Sequence, residues 1–290
     1  MTAAVATRPT QHTQEKKPRK SHGNVYFGVI AWIIAIVFVL PVLYMILTSF
    51  HSEPDASTNP PSIGAPLTLA GYREFFSGGI NPWPYLANSL TASVLSTLFV
   101  LALAIPAAYA CSIRPVRKWT DVMFFFLSTK MLPPVAGLLP IFLIAQKINM
   151  LDNILLLTIL YTSMNLPIAV WMMRSFLAEI PPAILEAASI DGAGLLYQMR
   201  KIIVPISMPG IAATSLICFI FSWNELLFAR VLTGVSAQTG PVFLTSFVTS
   251  QGLFLAKVCA AATIVSLPVL IAGFAAQDKL VQGLSLGAVK

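Results

Sequence analysis

The sequence predicts an all-α integral membrane protein of six transmembrane helices, and three observations carry that reading. Of its 290 residues, 57% are hydrophobic and only 10% charged, whereas a soluble domain is roughly a quarter charged. Apolar blocks long enough to cross a hydrocarbon layer of ~30 Å recur along the chain. Finally, the basic residues fall alternately in the connectors between those blocks, which is the pattern of a multi-pass topology.

The predicted spans are Phe27–Ser49, Ala87–Cys111, Asp121–Ala145, Ile154–Met173, Ile206–Ala229 and Val258–Ala276. Each is read as a helix because a lone strand in lipid leaves its backbone groups unpaired. The first block is longer than a signal-peptide core and no A-x-A cleavage pattern follows it, so it reads as an uncleaved helix. Residues 1–26 read as a polar, disordered cytoplasmic tail, and 27–290 as one membrane domain.

Orientation follows from the charges. On the tail's side lie 13 basic residues: five in the tail itself (Arg8, Lys16, Lys17, Arg19, Lys20), then Arg114, Arg117, Lys118, Arg174, Arg200, Lys201, Lys279 and Lys290. The opposite side holds 4, namely Arg73, Lys147, Arg230 and Lys257. The excess places both termini in the cytoplasm of a cell whose plasma (inner) membrane holds the protein, and an even number of spans agrees with it. The connectors Phe50–Leu86 and Thr233–Ala256 then face outward, the second with a partly re-entrant character.

The net charge of +7 is explained by topology and not by nucleic acid, because no basic face with interleaved aromatics occurs. Cys111, Cys218 and Cys259 lie in apolar runs without pair spacing and read as small buried hydrophobes. His12, His22 and His51 have no ligand spacing, so neither a metal nor a proton relay is expected.

The most patterned segment is the connector between the fourth and fifth spans, 174–205, which reads RSFLAEIPPAILEAASIDGAGLLYQMRKIIVP. Pro181 and Pro182 suit a helix start, where the first amides have no partner in any case. Ala183, Ile184, Ala187, Ala188 and Ile190 follow at helical spacing and give an apolar face. Gly192 after Asp191 stands where a left-handed C-terminal cap is needed, and a second helix from Leu195 should end before Pro205. The expected product is a short helix, a glycine turn and a second helix along the cytoplasmic surface. An ordinary interfacial amphipathic helix is the competing reading of the same residues.

Glu186-Ala187-Ala188, then Asp191-Gly192-Ala193, then Ile202, Val204-Pro205 and Pro209-Gly210 resemble the EAA loop of ABC importer permeases, with Val204 where leucine is commoner. The resemblance extends over most of the chain. The ending Leu280–Lys290 is similar to the second permease of maltose-type importers, while Leu127–Pro134, Trp223-Asn224-Glu225 and Gly252–Lys257 resemble mannitol/sorbitol-type members.

The resemblance implies a type I ABC importer permease fold moving a sugar or polyol by alternating access. It implies Glu186, Ala187, Ala188, Asp191, Gly192, Ala193 and Pro205 as the residues that couple to an ATPase. The implied partners are a second homologous permease subunit, a dimer of ATP-binding subunits and an extracytoplasmic solute-binding protein, in membrane lipid and without nucleic acid. No G-x-x-x-x-G-K-S/T string occurs. The chain is therefore expected to be no enzyme and to carry no cofactor, ATP and magnesium belonging to the partner ATPase.

Ionisable and strongly polar groups inside a span are functional candidates because lipid penalises them. Lys130, Asn165, Trp223, Asn224 and Glu225 are such candidates for the substrate pathway. Lys130, three residues before Pro133-Pro134, reads as a pore-lining donor or as a snorkelling or partner-paired lysine. Glu225 reads as a substrate ligand or as a structural ion pair with Arg230 or Lys130. Ser89, Thr91, Ser93 and Thr97 read as helix–helix contacts. Two other functions compete. An ion-coupled secondary transporter predicts a charged relay and an internal repeat, and a membrane-embedded enzyme predicts clustered catalytic groups. The sequence displays neither signature.

Overall fold

A computed structural model describes residues 23–58, 62–77, 81–114, 116–249 and 252–288. Most of the expected tail and its five basic residues lie outside the described residues, as does Lys290. Two compact units divide the chain, Met1–Met45 and Ile46–Lys290. In the first, helix α1 (Gly23–Thr48) begins. It is apolar all round and exposed over most of its length as far as Tyr44, with Phe27, Trp32 and Phe38 each more than 70% exposed. A helix with no polar face is solvated by lipid or protein and not by water.

The second unit contains α2 (Glu53–Ala56), α3 (Ala70–Ser77), α4 (Trp83–Ser112), α5 (Trp119–Met131), α6 (Pro134–Lys147) and α7 (Ile154–Leu177). Then follow α8 (Pro182–Ile190), α9 (Leu195–Ile206), α10 (Met208–Trp223), α11 (Leu227–Leu232), α12 (Gly240–Leu244) and α13 (Leu255–Ala288). Between α12 and α13 a hairpin pairs Val248 with Leu253 and Thr249 with Gly252.

The main helix pair is α4 with α7, joined by α10 and then α13. Its basis is a period of four on both partners. On α4 the residues Ala92, Ser96, Val100, Ala104 and Ala108 are completely buried; on α7 so are Leu157, Tyr161, Asn165, Ala169, Met173 and Leu177. Small side chains on one ridge let the larger ones of the other fill the groove, which is how membrane helices gain contact where water provides no drive. Ser89, Ser93 and Thr97 are buried as expected, while Thr91 is exposed.

Among the described residues four helices are long and apolar enough to cross a membrane: α1, α4, α7 and α13. The third expected span is no straight helix, because α5 and α6 meet at 87°. At 13 and 14 residues each is about 20 Å long and neither crosses alone. The break is dictated locally. Leu132 and Pro133 both precede a proline, which disfavours the helical region, and both are extended, at φ −70°, ψ 124° and φ −60°, ψ 126°.

The fifth expected span also differs from Ile206–Ala229. It begins at Met208 after a 78° turn from α9 and ends at Trp223, so Asn224–Leu226 form a break and not mid-helix. Counting each bent pair as one crossing gives the six expected. The sixth span is longer than expected at its start, running from Leu255.

Candidate functional site

The predicted coupling loop is a helix–turn–helix built as the residue types require. Pro182 opens α8. At its end Gly192 adopts φ +77°, a conformation glycine reaches without the Cβ penalty. The Ala193 amide donates to the Ala188 carbonyl at 2.9 Å and the Gly192 amide to that of Ser189 at 3.1 Å. These are the two bonds of a Schellman cap. Gly194 is extended, and α9 starts on Leu195.

Gln198, which the sequence did not single out, holds the turn shut. Its side chain is buried, and its amide donates to Ser189 Oγ at 3.0 Å and to the Ala193 carbonyl at 2.8 Å.

The expected apolar face of α8 divides in two. Leu185 and Ala188 are buried, and Leu185 joins Leu177, Ile180 and Ile203 at the foot of the bundle. Ile184, Ala187 and Ile190 point away, Ile190 being 86% exposed, with Leu195, Leu196 and Tyr197 beyond the turn also exposed. Glu186, Asp191, Gly192 and Pro205 are exposed and Ala193 is half-buried. The loop is thus fastened by one face and presents the other.

Contrary to expectation, α9 does not stop before Pro205. It passes through a π-helical turn at Met199–Ile203 and continues to Ile206. The wider turn accommodates the hydrogen bond that proline cannot donate. Arg174, at the end of α7, stacks on the Trp119 ring at 3.9 Å and donates from Nε to the Cys111 carbonyl. It ties α4, α5 and α7 together at the root of the loop.

The five polar candidates of the spans are not gathered around one space. Lys130 lies beside a cavity of about 410 Å³ lined by Met123, Leu127, Pro167, Ile168 and Trp171. Asn165 is fully buried and donates to Ser222 Oγ at 2.9 Å, which in turn pairs with Ser96 Oγ at 3.0 Å. This chain of three side chains pins α7, α10 and α4. Trp223 is buried, and its indole N–H donates to the Val265 carbonyl of α13 at 3.0 Å. Asn224 donates back to the Ile220 carbonyl.

Glu225 pairs with neither Arg230 nor Lys130; the ion pair among the described residues is Lys257–Glu74 at 2.6 Å. Its buried carboxylate instead accepts the amides of Phe228 at 2.9 Å and Ala229 at 3.2 Å, capping α11. Removing a helix cap of this kind costs about 1–2 kcal/mol. Glu225→Ala should therefore lower the apparent melting temperature of the detergent-solubilised protein, and Glu225→Gln, which keeps an acceptor, should lower it less. Equal melting of the alanine variant and the parent would remove this role.

Comparison with known proteins adds a family. Residues 100–285 match the family described as binding-protein-dependent transport system inner membrane component. A probable ABC transporter permease of Sinorhizobium fredii is 36% identical over 259 residues, covering 89% of this chain and 92% of the relative. The diacetylchitobiose uptake system permease of Streptomyces coelicolor is 31% identical over 274 residues, covering 94% and 99%. The trehalose/maltose transport system permease of Thermococcus litoralis is 31% identical over 268 residues, covering 90% and 94%.

Among solved structures, a bacterial ABC transporter involved in alginate import shares the fold, with TM-score 0.72 at 23% identity, covering 91% of this chain and all of that one. The helix–turn–helix loop and the broken spans are thus found in a chain whose sequence and fold agree on one kind of protein: it belongs to the binding-protein-dependent transport system inner membrane component family.

Proposed function

We propose that this permease forms half of the pore of an ATP-driven importer for a sugar or polyol, and that α8 with its glycine turn is the lever through which a separate ATPase dimer drives it. The observation that carries the reading is the two-sided loop. Leu185 fastens it to the bundle, while Ile184, Ala187, Ile190, Leu195 and Leu196 are left apolar and exposed next to Glu186 and Asp191. A monomeric surface gains nothing by exposing such a patch, and a rigid knob fastened at its base transmits displacement.

In this reading both termini and the loop are cytoplasmic, as the distribution of basic residues requires. ATP and magnesium reside on the ATPase, and a second homologous permease completes the pore. The sugar or polyol class rests on what named relatives are said to transport. Of the polar candidates, Lys130 is assigned to the substrate pathway because it borders a cavity together with the Trp171 ring. Asn165, Trp223, Asn224 and Glu225 are engaged within the chain.

Affinity purification of the chain from its native membrane is the direct test. An ATPase and a second permease should accompany it, and proteoliposomes of that complex should take up a labelled sugar or polyol only with ATP and a solute-binding protein. Recovery of the chain alone, with uptake driven by an ion gradient, would overturn the proposal.

A further inference from the structure

Arg174 stands in the last turn of α7, just before the coupling loop leaves the bundle, and no carboxylate pairs with it among the described residues. Two other contacts hold it. The Cys111 carbonyl belongs to the last turn of α4, where carbonyls lack a partner within the helix, and Arg174 Nε donates to it at 3.2 Å. The guanidinium lies 3.9 Å from the centre of the Trp119 ring, a cation on an aromatic face. Trp119 is the first residue of α5. A planar guanidinium can stack and donate at once, whereas the compact, strongly hydrated ammonium of a lysine cannot replace it in both contacts.

From that point α5 turns one stripe toward α7. Trp119, Met123, Leu127 and Lys130 recur at helical spacing, and Arg174, Trp171 and Pro167 stand across from them. The seam between the two helices is closed at Trp119. About 16 Å further along the axis it opens into the cavity of about 410 Å³ beside Lys130.

The two halves of the bent span belong to different cores. Met123 of α5 is buried in the cluster that holds Leu177, Leu185 and Ile203, at the root of the coupling loop. Leu138, Ile141 and Ala145 of α6 pack instead with the cluster of Leu157, Tyr161 and Phe228. The far end of α6 is fixed as well. In the connector that follows it, the Asp152 carboxylate accepts the backbone amides of Gly234, Val235, Ser236 and Ala237 at 2.8 to 3.0 Å. The border between the cores falls at Leu132 and Pro133, the extended residues between α5 and α6. A few element-terminal residues between two packed bodies are where a hinge absorbs changes of φ and ψ.

We propose that Arg174 positions Lys130 during transport. By holding Trp119 it makes α5 move with the root of the coupling loop while α6 stays with the other core. The displacement is thereby delivered at the Leu132–Pro133 hinge, where Lys130 borders the cavity. This rests on the importer reading above. Arg174 touches no solute; it is a positioning residue that acts on Lys130 through Trp119 and the length of α5.

The test uses the complete transporter in proteoliposomes, with ATP, its solute-binding protein and the labelled sugar or polyol that the parent complex takes up. Uptake and ATP hydrolysis are measured together. Arg174→Lys and Trp119→Leu should each lower the solute moved per ATP hydrolysed about fivefold, with hydrolysis itself within twofold of the parent. Trp119→Phe, which keeps an aromatic face, should retain most of the ratio. The double variant Arg174→Lys/Trp119→Leu should be no worse than either single one, because both remove the same contact.

A second measurement follows α5 directly. Thr129→Cys adds an exposed thiol beside Lys130 in a chain whose native cysteines are all buried. Its rate of alkylation by N-ethylmaleimide should differ between the nucleotide-free complex and one trapped with ATP and vanadate, and Arg174→Lys should abolish that difference.

A purely structural role lowers uptake and hydrolysis in equal proportion. An unchanged ratio in Arg174→Lys and Trp119→Leu, or losses that add in the double variant, overturns the inference and leaves the importer reading intact. If Arg174→Lys does not assemble, the comparison of Trp119→Leu with Trp119→Phe decides in the same way. Absence of ATP-dependent uptake by the parent complex overturns both.

Discussion

Gly192→Val is expected to reduce transport at least tenfold while leaving membrane insertion unchanged. At φ +77° an L-residue costs about 1–2 kcal/mol, and a β-branched one is an outlier there. Nothing lies within 4 Å of where a Cβ would stand, so the substitution acts through backbone conformation and not through a clash. If the strain relaxes by unwinding the Schellman cap, the bonds from Ala193 to Ala188 and Gly192 to Ser189 are lost, and with them the turn that aims Ile190 and Leu195. A coupling loss of 1.4 kcal/mol corresponds to tenfold.

The companion variant makes the cause visible. Gly192→Asn tolerates the left-handed region and should keep most of the uptake in proteoliposomes. If Asn is as damaging as Val, the glycine is needed for close approach of a partner and the conformational account fails. If Val is harmless, the lever assignment fails with it.

The coupling loop was the most legible part of the sequence because its constraints are local. A proline start, a glycine at C′ and small residues between are requirements of a single short helix and its cap, and the chain spells them in order. The bend after α5 was legible in kind, since two successive prolines forbid helix at Leu132 and Pro133. Its 87° angle was not, because the angle is fixed by what α5 and α6 each pack against.

The partners of the polar residues in the spans were not legible for the same reason. Hydropathy marks Asn165, Trp223 and Glu225 as costly in lipid but does not say what relieves the cost. For Asn165 and Trp223 that depends on Ser222 and Val265, which only tertiary structure brings close, and for Glu225 on where α11 starts. Gln198 and Asp152 carried no signal at all, because each is an ordinary polar residue whose partners lie in another segment.

A second large effect is expected at Gly210. This residue begins α10 against the end of α7, and a Cβ added there would lie 2.8 Å from Phe176 Cβ and closer still to its ring. Because the encounter includes the root of the Phe176 side chain, no rotation of the ring relieves it. Overpacking of this kind costs about 1–3 kcal/mol, and a chain of this size loses roughly 2–4 °C per kcal/mol. Gly210→Ala should therefore lower the apparent melting temperature by about 5 °C.

Phe176→Ala has a cost of its own, yet the double variant should be more stable than the two losses added together, with a coupling of about 1 kcal/mol. Strict additivity would show that the contact is not what fixes glycine here. The position matters beyond stability. The coupling loop leaves the bundle at Leu177 and returns at Met208, so Phe176 over Gly210 clamps its two ends to each other. A lever moves a pore only if its fulcrum is stiff, and Gly210→Ala should lower the transport achieved per ATP hydrolysed more than it lowers hydrolysis itself.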